Sequence, residues 1–154
     1  VAAEESVQRQ DLIAFIDRCD LVSVTVQECH AERHSGANPS TVNVSLGSGM
    51  SPGDDRVDYR FTMKSEIVTD GRELVAEIKV AVVAQFSISG SGAVDEAVLS
   101  AFGNEVATMV VYPYLRQHTY DLSGRIGLPN LTLGLLKRHD GKQVAASLDL
   151  LLGT

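Results

Sequence analysis

Val57-Asp58-Tyr59-Arg60-Phe61-Thr62-Met63-Lys64 alternates apolar and polar side chains without a break. That is the period-two signature of a strand with one face buried and one face in water. Val57, Tyr59, Phe61 and Met63 turn to one side; Asp58, Arg60, Thr62 and Lys64 turn to the other. After Ile67-Val68 comes Asp70-Gly71, a pair that tolerates the positive φ of a tight type I′ hairpin turn. The chain then returns through Leu74, Ala76, Ile78, Val80, Val82, Ala84, Phe86 and Ile88, again every second residue. The opposite face starts polar at Glu77 and Lys79 and becomes apolar at Ala81 and Val83. A strand this long, apolar on both faces at one end, belongs at the centre of a sheet.

Two weaker strands precede this hairpin. Val22, Val24 and Val26 alternate with Ser23, Thr25 and Gln27, and Glu28 breaks the pattern, which predicts a bulge or an emergence into solvent. Residues 35–40 read as a turn. Val42, Val44 and Leu46 face inward from the next strand. The segment 47–55, with three glycines and Pro52, reads as a mobile loop. Upstream, Ser6 is a helix cap for a short helix to about Asp17, carrying Leu12, Ile13, Phe15 and Ile16.

Beyond Ser89-Gly90-Ser91-Gly92 the period changes to helical. One or two turns over 95–100 end at an interruption, Phe102-Gly103-Asn104. Asn104 then caps a helix to about Leu122, with Glu105 in its first turn and a C-cap signal at Ser123-Gly124. From Val106 to Tyr114 this helix is apolar nearly all round, so burial on more than one side is predicted. Pro113 in its interior costs about 3 kcal/mol unless the helix kinks. The apolar run 128–134 contains Pro129 and reads as a loop or edge. A short terminal helix is predicted over 145–152. Helix, strand run, then helix gives an α+β fold with an antiparallel meander and helices on one face.

Composition narrows the functions. Lys and Arg total 13 against 20 Asp and Glu, for a net charge of −7 and a pI near 5.0. No basic cluster denser than Lys137-Arg138 occurs, which argues against nucleic acid as a partner. No apolar stretch approaches the ~20 residues that span a bilayer. The acidic start lacks the apolar region of a signal peptide, and two cysteines make no disulfide framework, so a cytoplasmic location is expected.

Candidate chemistry is thin. Cys29-His30 with His34 offers metal-ligand residue types, but on a strand Cys29 and His30 point to opposite faces, and the plain reading is two solvated histidines. Gly90-Ser91-Gly92 lacks the third glycine of a dinucleotide fingerprint and the Lys-Ser/Thr of a P-loop. His118 and Asp121 lie one helical turn apart with no serine to activate. Asp54-Asp55 and Asp95-Glu96 suit a loop and a helix start. No constellation supports an enzyme, and neither a metal nor a cofactor is expected. What stands out is apolar surface in excess of what one small sheet covers, pointing to an oligomer interface, a binding groove, or both.

Phe86-Ser87-Ile88-Ser89-Gly90, then Val111-Tyr112-Pro113-Tyr114-Leu115-Arg116, then Asp121-Leu122-Ser123-Gly124-Arg125, then Gly127-Leu128-Pro129-Asn130-Leu131-Thr132-Leu133 resemble, in order and spacing, the SecB family of bacterial export chaperones. The resemblance covers about residues 21–133. It implies a four-stranded antiparallel sheet with one long helix across it, in one SecB-like domain over 1–154. Residues 1–20 form an N-terminal helical extension and 141–154 a C-terminal segment. It implies an ATP-independent holdase, assembled as a homotetramer (a dimer of dimers), that binds unfolded or precursor polypeptides in apolar grooves. The groove residues carried over are Tyr59, Phe61, Phe86, Leu128, Leu131 and Leu133, with the loop leucines exposed. The helix residues Val106, Met109, Val110, Tyr112 and Tyr114 would form the oligomer interface.

Two departures bear on the partner. The family docks the motor protein SecA partly through acids on the outer sheet face, and Lys79 falls at one such position beside Glu77. The tail also lacks basic, motor-binding character. Relatives in this superfamily serve as chaperones of antitoxins, and Tyr120-Asp121-Leu122-Ser123-Gly124-Arg125 looks closer to that branch. Two other classes fit the pattern more loosely. A hotdog-like enzyme or binder would need a polar residue such as Asn104 or Glu105 facing a closed pocket. A plain oligomerisation or adaptor domain would need no client at all.

Overall fold

A computed structural model describes residues 2–134 and three further strand segments, Leu136–His139, Lys142–Ala145 and Leu148–Asp149, with side chains described over 8–134. Helix α1 (Ala2–Arg18) leads directly into β1 (Cys19–Arg33). Strands β2 (Thr41–Pro52), β3 (Arg56–Val68) and β4 (Leu74–Ile88) follow. Then come α2 (Glu96–Phe102), a π-helical turn (Gly103–Ala107) and α3 (Thr108–Arg125). The last segments form β5 (Leu136–His139), β6 (Lys142–Ala145) and β7 (Leu148–Asp149).

The sheet is antiparallel with the order β1-β4-β3-β2-β7. Only β2, β3 and β4 form a meander; the expected meander of all four strands is corrected by β1, which lies beside β4. The link from β1 to β2 crosses the end of the sheet. There His34 N–H and Ser35 N–H donate to the Val75 carbonyl (2.7 and 3.2 Å), and Ser40 N–H donates to Val68 (2.8 Å). A long central β4 makes this order possible, because it alone pairs with a 15-residue strand on one side and a 13-residue strand on the other.

The alternation of β3 is realised: Val57, Tyr59, Phe61, Met63 and Ile67 are buried, with Ser65 among them. On β4, Ala76, Ile78, Val80, Val82, Ala84 and Phe86 join them. The break at Glu28 is a bulge, since the β1–β4 register slips between Val26 and Glu28, and again between Leu21 and Ser23. The loop expected over 47–55 is mostly strand. Gly47 and Gly49 pair with Thr62 and Arg60, and the reversal is confined to 53–55, closed by Gly53 N–H on the Arg56 carbonyl (2.7 Å). Asp70-Gly71 does sit at the β3–β4 tip, but Arg72, not Gly71, takes the left-handed conformation (φ 64°). Arg72 N–H bonds the Thr69 carbonyl (2.9 Å), so the reversal is a turn followed by a left-handed residue, the longer hairpin solution, rather than a two-residue type I′ turn.

The helical half departs most from expectation. Phe102-Gly103-Asn104 does not interrupt the helix, and Asn104 lies inside the helical run rather than at a helix start. Gly103 is helical (φ −58°, ψ −47°), and the chain runs through a single π-helical turn into α3. The extra residue of that turn is absorbed where Thr108 N–H and Thr108 Oγ1 (2.8 Å) both reach the Gly103 carbonyl. Ser123-Gly124 likewise lies inside α3, which ends at Arg125. Ser6 lies within α1 rather than at its start. The terminal helix expected over 145–152 is not formed at the positions described: Ala145 ends β6, and Leu148–Asp149 pairs with Thr41 and Val42 of β2. The rest of that stretch lies outside the described residues.

Helix α3 lies across β4, with β1 and β3 beneath its flanks, and α1 packs on α2. Four rings bind the two layers. Phe102 stands edge-on to Phe15 (5.2 Å) and Phe86 (4.9 Å) and tilts against Tyr59 (5.7 Å). Such geometries add about 0.5–1.5 kcal/mol per pair beyond the area buried.

Candidate functional site

The stretch after α3 is apolar, and the structure shows what it does with its leucines. Leu128, Leu131 and Leu133 are all buried, at most 6 % exposed. The expected exposure of these leucines is therefore corrected: they close the core under the end of α3. Their burial requires the backbone around them to be held, and each support is polar. Ser123 is buried inside α3, and its Oγ accepts Leu131 N–H (2.8 Å) while donating to the Tyr120 carbonyl (2.8 Å). Asn130 Nδ2 donates to that same carbonyl (3.0 Å). Leu128 N–H bonds the Ser123 carbonyl (3.0 Å), and Tyr112 Oη donates to the Gly134 carbonyl. From the sheet, Arg33 Nη1 reaches the Ile126 (3.1 Å) and Gly127 (2.9 Å) carbonyls, and its Nε holds Ser35 (2.8 Å). Gly127 is left-handed (φ 78°), the conformation that lets the chain turn off the helix and under Arg33.

The pinned loop and α3 leave an open groove of about 390 Å³ between them, lined by Tyr112, Pro113, Arg116, Tyr120 and Leu131. Its lining mixes aromatic and aliphatic side chains with the polar Arg116, Gln117 and Thr132. Pro113 has no N–H to give the Met109 carbonyl four residues earlier. A second open groove, about 310 Å³, lies between the β2–β3 edge and the π-helical turn, lined by Met50, Tyr59, Phe61, Gly103 and Asn104. Burial pushes the Tyr59 hydroxyl well above the ordinary phenol range and raises that of Tyr112, so both stay neutral donors. Tyr59 Oη donates to the Leu99 carbonyl (2.7 Å).

The six groove residues read from the sequence are thus divided. Tyr59 and Phe61 meet at the second groove and Leu131 lines the first. Phe86, Leu128 and Leu133 are packed in the core and line neither. Of the five interface residues, Met109 (56 %) and Tyr114 (44 %) are exposed, Val106 and Val110 are half-buried, and Tyr112 is buried at the groove wall. The burial of α3 on both sides is therefore not met within one chain. One side rests on the sheet; the other shows Met109, Tyr114 and Tyr120 to solvent.

Reading the sequence missed Arg33 and Arg18, because a lone arginine in a strand or at a helix end carries no local signal, and it gave Arg116 no part beyond the family motif. Arg18 Nε donates to the Ser89 carbonyl (2.7 Å) and Nη2 to Gly92 (3.3 Å). Gly90-Ser91-Gly92 is thus a clasped turn, with left-handed Gly90 and Gly92. Asp121 pairs with Arg125 (3.1 Å). No helix among the described residues is long and apolar enough to cross a membrane.

No family model matches the chain. Over 43 residues it is 44 % identical to the SecB-like chaperone Rv1957 of Mycobacterium tuberculosis strain H37Rv, and equally to the SecB-like chaperone MT2006 of strain CDC 1551. That match spans 28 % of this chain and 24 % of each relative's length. The solved structure of the Rv1957 SecB-like chaperone, in complex with a ChAD peptide from the Rv1956 HigA1 antitoxin, superposes with a TM-score of 0.77 at 22 % identity. The superposition covers 84 % of this chain and 99 % of that one. The chain therefore has the SecB-like fold, and over the shared 43-residue segment it is similar to the SecB-like chaperones.

Proposed function

We propose that the protein is a SecB-like molecular chaperone that holds non-native polypeptide, with an antitoxin as its dedicated client. The observation that carries the reading is the near-complete superposition on a SecB-like chaperone whose structure contains an antitoxin peptide. The open aromatic groove between α3 and the pinned loop supports it, because it offers apolar surface without a catalytic group. Binding needs no nucleotide in this scheme: burying apolar client side chains yields about 25 cal/mol per Å².

In this reading the client meets the walls of the two grooves, Leu131, Tyr59 and Phe61 among them, while Phe86, Leu128 and Leu133 shape them from beneath. Met109, Tyr114, Val106 and Val110 form the face on which copies of the chain assemble into a tetramer, with Tyr112 serving both groove and interface. The work is cytoplasmic. A role in export through SecA is not part of the proposal, given Lys79 on the outer face. The hotdog-like alternative needs a closed pocket; Asn104 lines the second groove, but both grooves are open and Glu105 lines neither.

The test is suppression of aggregation of an unfolding model protein, and of an antitoxin, at near-stoichiometric ratio without ATP. Tyr120→Ser, at an exposed wall of the first groove, should weaken protection while the oligomer stays intact. Undiminished aggregation with the wild-type chain sinks the reading.

A further inference from the structure

The outer face of the sheet carries a cluster that the proposed chaperone function does not use. His30 and Glu32 alternate along β1, and His34 continues the alternation just past its end, so all three side chains leave the same side. In the register with β4, Glu32 stands directly opposite Glu77. Two like charges at opposed positions of an antiparallel pair repel. Here the imidazole between them answers the repulsion: His34 Nε2 lies 3.2 Å from Glu77 Oε2. One ligand atom each from Glu32, His34 and Glu77 falls within 4.8 Å of the others. His30 Nε2 is 3.7 Å from Glu32 Oε2.

We infer that Glu32, His34 and Glu77 bind a divalent transition-metal ion such as zinc, with His30 orienting the Glu32 carboxylate. Ligands about 2.0–2.2 Å from zinc in a tetrahedron stand roughly 3.3 Å apart, close to the 3.2 Å already present between His34 and Glu77. One imidazole with two carboxylates favours zinc, nickel or copper over magnesium or calcium, which prefer all-oxygen sites. The nearby cations leave the site open. Lys64 Nζ approaches the other Glu77 oxygen, Oε1 (3.6 Å), and is also held by Glu66 (3.2 Å). Lys79, opposite His30, pairs with Glu28 (3.4 Å). The sheet sets the ligands in place: β1 and β4 fix Glu32 and Glu77, and the bond from His34 N–H to the Val75 carbonyl fixes His34. Cys29 points to the other face and takes no part.

The test is isothermal titration of the full 154-residue chain with zinc chloride in a non-chelating buffer, with magnesium chloride as the control. One zinc per chain is expected, and no heat with magnesium. His34→Ala and Glu77→Gln should each weaken zinc at least about tenfold, as loss of metal-site residues does. His118→Ala and Cys29→Ser should leave it unchanged. Glu32 and Cys29 are exposed, the His34 and Glu77 side chains are about a third open, and His118 lies on α3; far-UV circular dichroism checks that each variant folds. Glu32→Gln gives the same readout without touching the His34–Glu77 contact. The inference is overturned if the wild-type chain shows no saturable zinc binding. It is equally overturned if the Glu32, His34 and Glu77 variants bind as tightly as wild type, or if binding follows His118 or Cys29.

Discussion

The ring of Tyr59 occupies the space that a side chain on Gly103 would need. A Cβ built there would stand 2.7 Å from Tyr59 Cε1 and 2.9 Å from Cδ1. The ring is held in place, because its hydroxyl is bonded to the Leu99 carbonyl and it packs against Phe86 and Phe102. Gly103→Ala should therefore destabilise the fold by about 1–3 kcal/mol, the usual range for overpacking. Urea denaturation checks this. Combining it with Tyr59→Leu should cost less than the sum of the two single changes, since the residues are in contact.

Arg33 ties the sheet to the loop that carries the groove. Arg33→Ala should free the Ile126 and Gly127 carbonyls and speed amide exchange across 127–131, read by hydrogen–deuterium exchange of peptides from that region. The global cost should stay near 1–2 kcal/mol, because the hydrogen bonds are charge-assisted but solvent-exposed. Arg33→Lys should not restore slow exchange, since an ammonium cannot hold Ser35 with one nitrogen and the two loop carbonyls with another.

Met109 and Tyr114 give the assembly proposal its measurement. Both are exposed on α3, on the side away from the sheet. Met109→Asp with Tyr114→Asp should lower the mass seen by light scattering after size exclusion and leave circular dichroism unchanged. A wild-type chain that is already a monomer, or a variant of unchanged mass, rejects that face as the interface.

Cys19 gives a pH dependence. Burial at the α1–β1 junction pushes its thiol up to about 11, against a smaller downward pull from Arg18 and an upward push from Asp20. A raised thiol pKa means the folded chain keeps the proton, so stability from this group is complete below pH 9 and is lost as the pH climbs through 11. At pH 8 the thiolate is about a hundredfold scarcer than in an ordinary cysteine. Iodoacetamide should label Cys19 slowly at pH 8 in the folded chain and quickly in urea, with the folded rate still rising above pH 9. Mass spectrometry of the labelled peptide reads both rates.

Strands were legible in this sequence where one face is wet and one is dry. Along Val57–Met63 every second side chain is apolar, and the structure uses that pattern unchanged. Even the bulge at Glu28 shows as a broken alternation. Strand order was not legible, because β1 beside β4 depends on a crossing by the link after Arg33 that no local pattern encodes. The helix boundary failed for a different reason. Gly103 looks like a breaker, but it is needed inside the helix to seat Tyr59, a residue far away in the sequence. Of the six apolar residues read from the sequence, Tyr59, Phe61 and Leu131 line a groove and Phe86, Leu128 and Leu133 do not, and none of the polar fastenings was legible. Leu131 announces itself; Arg33, Ser123 and Asn130 acquire meaning only once the chain folds back on itself.

Strand β1 lies at one border of the sheet, and its pairing slips twice, between Leu21 and Ser23 and between Val26 and Glu28. A straight, regular border would offer its free amides and carbonyls to any extended chain passing by, and fibrils grow by that kind of stacking. Two dislocations in fifteen residues spoil the template. Under the proposed chaperone function, the protein can then meet non-native chains through its grooves without its border strand being zipped into their aggregates.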